Sequence, residues 1–221
     1  MTSKNAIERL AGIDQGMISD CMIRLGIDGW MDGLQAAGEA ASFAGPARTI
    51  LLGPRRGIEA LPMSKYAVMA KLEPGDVLVL AGVETRENQM GDNVARFGQM
   101  RGIAAIVCDA PVRDYAGMGQ LSIPVFCKGR SARMPLTTEA IAFDVPVMCA
   151  GAQVRPGDIV VGSSDGLLVV PGTRVDDILY QLDDMEQIET TLQAAIRDGR
   201  PLAEIEALAG KKKKLRARAA A

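Results

Sequence analysis

The chain has 221 residues with 25 Lys and Arg against 27 Asp and Glu, which allows one large domain or two merged halves and argues against a nucleic-acid partner. Its 48% hydrophobic content excludes a disordered or collagen-like protein. The sequence contains no histidine, so a Ser-His-Asp triad, a Cys-His pair and any histidine-ligated metal are excluded.

The first predicted element is an amphipathic helix from Gln15 to Leu25, ended by Gly26, because its apolar residues recur on one helical face. Residues 44–52 predict a turn leading into a strand, and Met63 to Lys71 predict a helix. A Pro-Gly-Asp turn at 74–76 then precedes an apolar strand, Val77 to Leu80.

The centre of the chain predicts a βαβ unit. After the strand at 77–80 come a helix from Asp92 to Arg101 and an apolar strand from Ile103 to Cys108, all within about thirty residues. A second Pro-Gly-Asp turn precedes the strand Ile159 to Val161, and Asp165-Gly166 predicts a hairpin into a strand that ends before Pro171.

The last third predicts one long helix, Val175 to Asp198, ended by Gly199 and Pro201. Its narrow apolar stripe is expected to pack on the parent core, with docking on a neighbouring subunit as the alternative. Residues 211–221 are rich in Lys and Arg and are interpreted as a solvated basic tail without function. No linker divides residues 1–210, so we predict one α/β domain with mixed strands and flanking helices.

Cysteine usage and hydropathy bear on where the protein resides. Four scattered cysteines in apolar runs, without a C-x-x-C pair, predict buried free thiols: Cys21, Cys108, Cys127 and Cys149. No segment approaches the ~20 apolar residues needed to span a bilayer, and the first residues lack the apolar core of a secretory signal. We therefore expect a cytoplasmic protein that does not associate with membranes.

Polar residues gather at the predicted ends of the two central strands. Gly91 to Val94 begin a helix, and the unpaired N–H groups of a first helical turn can hold a carboxylate. Arg113 and Asp114 follow the next strand, which the βαβ crossover brings alongside. A small oxo acid with a divalent ion fits this set of groups. The alternative is an ordinary surface salt bridge between Arg113 and Asp114, with Asp92 as a helix cap.

The spacing of Asp92, twenty residues and then Arg113-Asp114 resembles the signature of the class II pyruvate aldolases. That family includes 4-hydroxy-4-methyl-2-oxoglutarate/4-carboxy-4-hydroxy-2-oxoadipate aldolase and the RraA proteins, named for inhibiting ribonuclease E. Similar segments in the same order are 18–26, 43–49, 74–79, 123–126, 154–160 and 165–171. The resemblance implies a single-domain αββα sandwich of the swivelling β/β/α type with N- and C-terminal helices. It also implies a homotrimer or homohexamer with the active site between subunits.

The resemblance also assigns roles to residues at matching positions. The pyruvyl part of a small 2-oxo acid would be bound by Gly91, Asp92, Asn93, Val94 and Arg113, with Asp92 and Arg113 catalytic. Asp114 would hold magnesium or manganese, with water completing the coordination.

Two further positions bear on this resemblance. Glu189 occupies a place similar to a family glutamate that reaches the neighbouring subunit's site, although a glutamate on a helix face is ordinarily only solvated. Asp109-Ala110-Pro111 departs from the usual Asp-Gly, and we expect this departure to change how the loop approaches the substrate.

The function that the resemblance implies is a metal-dependent carbon–carbon lyase. It would cleave a 4-hydroxy-2-oxo dicarboxylic acid to pyruvate and would also decarboxylate oxaloacetate. One alternative is a regulatory ring that binds and inhibits a ribonuclease; another is a lyase for an unrelated small oxo acid. The complete Asp and Arg-Asp spacing favours catalysis.

Overall fold

A computed structural model of the protein describes residues 2–56 and 64–217. Its helices are α1 (Lys4–Gly12), α2 (Gln15–Arg24), α3 (Lys65–Met69), α4 (Asp92–Met100), α5 (Tyr115–Met118), α6 (Val175–Arg197) and α7 (Leu202–Lys211). Its strands are β1 (Trp30–Met31), β2 (Gln35–Ala36), β3 (Phe43–Pro54), β4 (Val77–Ala81), β5 (Ala105–Cys108), β6 (Val125–Cys127), β7 (Thr138–Phe143), β8 (Val147–Cys149), β9 (Ala152–Val154), β10 (Ile159–Ser163) and β11 (Gly166–Val170).

Strand β3 connects the two parts of the main sheet. Its first residues, 43–46, run antiparallel to β10, whereas residues 47–51 run parallel to β4. The strand order is β1-β11-β10-β3-β4-β5-β6-β2, and β7 pairs with the distal part of β3. Because β4, β5 and β6 are parallel neighbours, their carboxyl ends meet at one edge of the sheet.

Both faces of the sheet are covered, which explains the continuous apolar sequence of β4. Leu78 and Leu80 face a core that also contains residues of α3 and α4, whereas Val77 and Val79 face one that contains the β8–β9 hairpin. A third core joins α1, α2 and α6 to β10 and β11. The predicted α/β class, with mixed strands and helices at both ends, is confirmed.

Most predicted elements agree with the structure. The first predicted helix is α2, capped by Asp14 and followed by Gly26 at φ 63°. The βαβ unit is β4-α4-β5, and the hairpin at Asp165-Gly166 joins β10 to β11. The long helix is α6. Both Pro-Gly-Asp turns have glycine at positive φ, and Asp76 and Asp158 each accept a hydrogen bond from the amide three residues earlier.

Two sequence predictions differ from the structure, and two helices were missed. Residues 44–52 were predicted as a turn leading into a strand, but the turn is absent because β3 already begins at Phe43. Gly45 serves close packing instead, since a Cβ there would lie 2.2 Å from the Gly75 carbonyl oxygen. The helix predicted over 63–71 is shorter, and Met63 lies outside the described residues. Helices α1 and α7 were not predicted.

Part of the basic segment after Gly210 is bound to the rest of the protein. The side chain of Arg24 is fully buried and donates a 2.7 Å hydrogen bond to the Lys212 carbonyl oxygen. The ammonium of Lys212 lies 2.8 Å from Asp20 and 3.0 Å from Glu189. Lys212 and Arg216 are therefore held by the protein, whereas Lys211, Lys213, Lys214 and Leu215 are exposed. The last four residues lie outside the described part of the chain.

The cysteine prediction is confirmed, because all four thiols are buried and free of disulfides. Burial raises the pKa of Cys108 to about 12, so this thiol is held in its neutral form. Within residues 2–56 and 64–217, none of the helices combines the length and the apolar character needed to cross a membrane.

Candidate active site

The candidate site lies where β4 and β5 end. The loop after β4 reaches Gly91, which caps α4, and the loop after β5 runs through Arg113 into α5. Two backbone hydrogen bonds join these loops: the Arg113 amide donates to the Met90 carbonyl and the Gln89 amide to the Pro111 carbonyl, both at 2.9 Å. The structure therefore brings together the two segments that the sequence predicted to be neighbours.

The absence of a side chain at Gly91 allows the acidic and basic groups to approach the start of α4. A Cβ built on Gly91 would lie 2.6 Å from Oδ2 of Asp114 and 2.9 Å from Nε of Arg113. A similar contact occurs on α5, where a Cβ on Gly117 would lie 2.8 Å from Oδ2 of Asp92. Each aspartate is thus seated against a glycine of the other segment.

Arg113 and Asp114 form a partly exposed pair that stays accessible to a ligand. Their Nε and Oδ2 atoms are 3.4 Å apart, and each side chain is 46% exposed. Asp114 has φ 56°, a left-handed conformation that is uncommon for a residue other than glycine, and its carboxylate makes no capping hydrogen bond to α5. The carboxylate, which pairs with Arg113 and is half-exposed, is accessible to a cation or a substrate group.

The first turn of α4 supplies backbone donors. Its cap, Gly91, has no side-chain acceptor, so the first N–H groups are not satisfied by a capping side chain. Asp92 pairs with Arg96 at 3.0 Å and keeps a side-chain exposure of 21%. Asn93 is exposed, whereas Val94 packs on the core, so only the backbone amide of Val94 is suited to contact a ligand.

The donor set fits a hydrated divalent cation better than a cage of protein ligands. Among the described residues there is no group of three or more Cys, Asp or Glu side chains that could surround a metal ion. Asp114 offers one half-exposed carboxylate, and magnesium and manganese are commonly held by one or two carboxylates with water in the remaining positions. A hydrated ion of this kind would therefore be held by Asp114.

Arg130 and Tyr115 belong to the same groove and were not predicted. Val112 and Arg130 form an isolated parallel bridge beyond the ends of β5 and β6. The groove has a volume of about 460 Å³ and is lined by Val112, Arg113, Asp114, Tyr115, Arg130, Ser131 and Ala132. The sequence signal that could have identified Arg130 was its position, because Arg130 follows β6 as Arg113 follows β5.

A buried polar network supports the loop before Gly91. The Glu87 carboxylate accepts hydrogen bonds from the amides of Thr137 and Thr138 and, at 2.8 Å, from the Thr138 hydroxyl. Burial acts to raise the pKa of Glu87, but these donors outweigh it and lower the pKa to about 2. Gln89 also donates to the Thr138 hydroxyl oxygen at 2.7 Å. The loop is therefore fixed by groups about fifty residues away in the sequence.

Lys65, at the start of α3, holds the same loop from another side. Its ammonium donates to the Gln89 carbonyl oxygen, two residues before Gly91. Burial lowers the pKa of Lys65. This contact gives the lysine a structural role beneath the candidate site.

Glu189 has partners within its own chain. Its carboxylate lies 3.0 Å from the Lys212 ammonium and accepts a hydrogen bond from Gln193 at 3.1 Å. The hydrogen bond from Lys212 is the main reason why the pKa of Glu189 is lowered. Through these contacts Glu189 holds the C-terminal segment. Glu189 would have to release Lys212 to reach the site of a neighbouring subunit.

In the unusual Ala110-Pro111 sequence, Ala110 packs in the core and Pro111 contacts the loop before Gly91. The Ala110 side chain is fully buried in the core beside α3 and α4, and the Pro111 carbonyl accepts the hydrogen bond from Gln89. Asp109 is bound by Lys128 at 2.8 Å and by the Ala150 amide at 3.0 Å. The extra methyl group is therefore buried in the core and does not line the groove of Arg113 and Asp114.

Comparison with known proteins gives concordant matches. The family model described as RraA-like, Aldolase/RraA, matches residues 16–169. A Halalkalibacterium halodurans protein named "Putative 4-hydroxy-4-methyl-2-oxoglutarate aldolase" is 30% identical over 152 residues, which cover 67% of this chain and 72% of that protein.

Two solved structures resemble the fold. RraAS2 of Streptomyces coelicolor, described as an unusual member of the RNase ES inhibitor RraA protein family, has a TM-score of 0.79 and 30% identity, covering 87% of this chain and 97% of its own. A protein of Pseudomonas syringae pv. tomato has a TM-score of 0.78 and 24% identity, covering 92% of this chain and 98% of its own; at that identity the likeness concerns the fold alone.

Proposed function

The chain belongs to the RraA-like family, and on that premise we propose that it is a divalent-metal-dependent carbon–carbon lyase. Its substrate is a 4-hydroxy-2-oxo dicarboxylic acid of the 4-hydroxy-4-methyl-2-oxoglutarate type, which it cleaves to pyruvate. Decarboxylation of oxaloacetate is a second activity, because that reaction passes through the same pyruvate enolate. The observation that carries this proposal is the contact of Arg113 and Asp114 with the Gly91 turn.

The chemical requirement is to stabilise a negative charge on a three-carbon fragment. When the C3–C4 bond of the substrate breaks, its electron pair passes to C3, the proton of the 4-hydroxyl group leaves and a carbonyl forms at C4. A magnesium or manganese ion held by Asp114 supplies Lewis-acid stabilisation at the 2-oxo group when bound. Residues of the chain provide the remaining stabilisation of the enolate and transfer the proton.

Arg113 and the first turn of α4 bind the pyruvyl part. The Arg113 side chain is 46% exposed in the groove, and its guanidinium is suited to a planar carboxylate or enolate oxygen. The backbone amides of Asp92, Asn93 and Val94 add donors at a positive helix terminus. Asp92 orients a water molecule that takes the 4-hydroxyl proton and afterwards returns a proton to C3 of the enolate.

The proposed assembly is a homotrimer or homohexamer with the groove completed by a neighbouring subunit. The half-exposed Arg113 and Asp114 leave room for such a contact on one side of the site. Light scattering of the purified protein at micromolar concentration tests this proposal. A monomeric mass with full lyase activity would contradict it.

The second candidate is a regulatory ring that inhibits a ribonuclease. It is favoured by the similarity to RraAS2, whose description places it among RNase ES inhibitors. A pure regulator would not need the close contacts of Gly91 with Arg113 and Asp114, which is why we rank catalysis first.

Pyruvate release separates the two candidates. The purified chain is incubated with Mg²⁺ or Mn²⁺ and either oxaloacetate or 4-hydroxy-4-methyl-2-oxoglutarate, and pyruvate is followed by lactate dehydrogenase. We expect turnover that EDTA abolishes and that added metal restores. Absence of turnover with both substrates, together with stoichiometric binding to an RNase E-type enzyme, would favour the regulatory role.

A further inference from the structure

The groove beside Arg113 contains a second guanidinium. Arg113 lies 3.4 Å from Asp114, so the positive charge of Arg113 already faces a carboxylate of the chain. Among the described residues, no carboxylate oxygen lies within 4.0 Å of the Arg130 guanidinium. Within residues 2–56 and 64–217, the lining of the groove therefore has two cationic side chains and a single anionic one, and Arg130 has no acidic partner.

The backbone of Arg130 is held in register with the loop that carries Arg113. The Val112 amide donates to the Gly129 carbonyl and the Ser131 amide donates to the Val112 carbonyl, both at 2.9 Å. These bonds form the parallel bridge between Val112 and Arg130. The bridge places the backbone of Arg130 about 4.8 Å from that of Val112, the residue before Arg113. Both arginines line the groove.

The side chain of Arg130 rests on an aromatic ring that is itself fixed. Its guanidinium carbon lies 5.9 Å from the centre of the Tyr115 ring. The Tyr115 hydroxyl donates a 3.0 Å hydrogen bond to the Ala36 carbonyl, which holds the ring in place. A guanidinium that lies over an aromatic face can still donate hydrogen bonds from its N–H groups to an anion.

We propose that Arg130 determines substrate specificity by binding the second carboxylate of a dicarboxylic 2-oxo acid. This inference rests on the proposed function, since it assumes that Arg113 and the Gly91 turn hold the pyruvyl part. The two carboxylates of the substrate then face two separate guanidinium groups in one groove. In this arrangement the Asp114 carboxylate binds the divalent cation.

The kinetic test uses two substrates that differ only in the distal group. In 4-hydroxy-2-oxoglutarate this group is a carboxylate, and in 4-hydroxy-2-oxopentanoate it is a methyl group. We expect Arg130→Gln to lower kcat/KM for the dicarboxylate by about 10- to 100-fold, mainly through KM, because a charge-assisted hydrogen bond is lost. The same variant should change kcat/KM for the methyl substrate by less than about twofold.

Two further variants serve as controls. Arg130→Lys keeps the charge and should recover part of the affinity for the dicarboxylate. Arg133→Gln removes an exposed arginine of the same loop that does not line the groove, so both substrates should be cleaved as in the wild type. Equal losses on both substrates in Arg130→Gln, or no loss on either, would overturn the inference.

A binding measurement keeps the inference separate from the proposed function. Calorimetric titration with Mg²⁺ present compares 2-oxoglutarate with 2-oxopentanoate, neither of which needs to be cleaved. We expect the wild type to prefer the dicarboxylate at least tenfold and Arg130→Gln to lose this preference. If this pattern appears without turnover of any substrate, the lyase proposal fails and the carboxylate site stands. If the wild type has no preference, the inference fails even when turnover is found.

Discussion

The carboxylate of Asp114 occupies the space that a side chain at Gly91 would need, with Oδ2 only 2.6 Å from the position of a Cβ. Cβ contacts of that length essentially do not occur, so a side chain at position 91 would force the side chains of Asp114 and Arg113 to move. The contact places both charged groups against the first turn of α4. It also gives a direct way to disturb the site without removing any charged group.

Gly91→Ala should displace Asp114 and Arg113 and lower kcat/KM for pyruvate release by at least tenfold, because misplacing catalytic groups by about 1 Å can cost about 100-fold. Crowding of this kind costs about 1–3 kcal/mol of stability, so folding is checked by thermal unfolding. Gly12→Ala is the control, since a Cβ there meets nothing within 4 Å. Wild-type turnover in Gly91→Ala would show that the close approach is not required.

Asp92→Asn should separate the two reactions of the proposed lyase. Retro-aldol cleavage needs a proton removed from the 4-hydroxyl group, so we expect a loss of about 10²–10⁴-fold in kcat. Oxaloacetate decarboxylation has no such proton to remove and needs the water at Asp92 only to protonate C3 of the enolate, so it should fall less than the retro-aldol cleavage. Arg96→Gln removes the 3.0 Å partner of Asp92 and serves as the matched control. Equal losses of both reactions in Asp92→Asn would contradict the assigned role.

Arg113→Ala should lower kcat for both reactions by about 100-fold or more, since removal of a donor to a developing oxyanion costs ~2.7–4 kcal/mol. The side chain is 46% exposed and its partner in the chain is also half-exposed, so the unfolding free energy should change little. Steady-state kinetics and urea unfolding of the same preparation measure both effects. Retained kcat would assign the stabilisation of the enolate to another group.

Glu87 gives a prediction about pH and stability. Its pKa falls to about 2 in the folded protein from an ordinary value of 4.5. Stability from the ionised carboxylate is therefore fully present above about pH 4.5 and is lost as the pH falls towards 2. We expect the difference in unfolding free energy between the wild type and Glu87→Gln to be constant above pH 5 and to shrink below it.

Urea unfolding between pH 2.5 and 7 tests this expectation. Glu84→Gln changes an exposed glutamate of the same loop and is the matched control. A difference between wild type and Glu87→Gln that stays constant down to pH 3 would mean that the hydrogen bonds from Thr137 and Thr138 do not favour the ionised form.

The sequence predicted the features of the site that depend on short-range order. A strand, a helix and a strand within residues 77–108 permit one compact arrangement, so the neighbourhood of Gly91 and Arg113 followed from the right-handed βαβ crossover. Arg130 was missed because its place depends on the pairing of β5 with β6 and on the bridge to Val112. No local pattern identifies such a contact.

Other differences arose where one residue type serves two purposes. Gly45-Pro46 has the composition of a turn, but in the structure the glycine permits contact with the Gly75 carbonyl inside a strand. The basic segment after Gly210 has the composition of a solvated tail, yet part of it is bound by the buried Arg24 and by Asp20. Both outcomes depend on partners that are distant in the sequence.

The most direct test of the central claim is the exchange of the pyruvate methyl protons for deuterium, followed by NMR in D₂O with Mg²⁺. This exchange reports formation of the enolate without requiring the identity of the second half of the substrate. We predict Mg²⁺-dependent exchange in the wild type and a loss of at least 100-fold in both Asp114→Asn and Arg113→Ala. Exchange at the wild-type rate in both variants, or none in the wild type, would contradict the account.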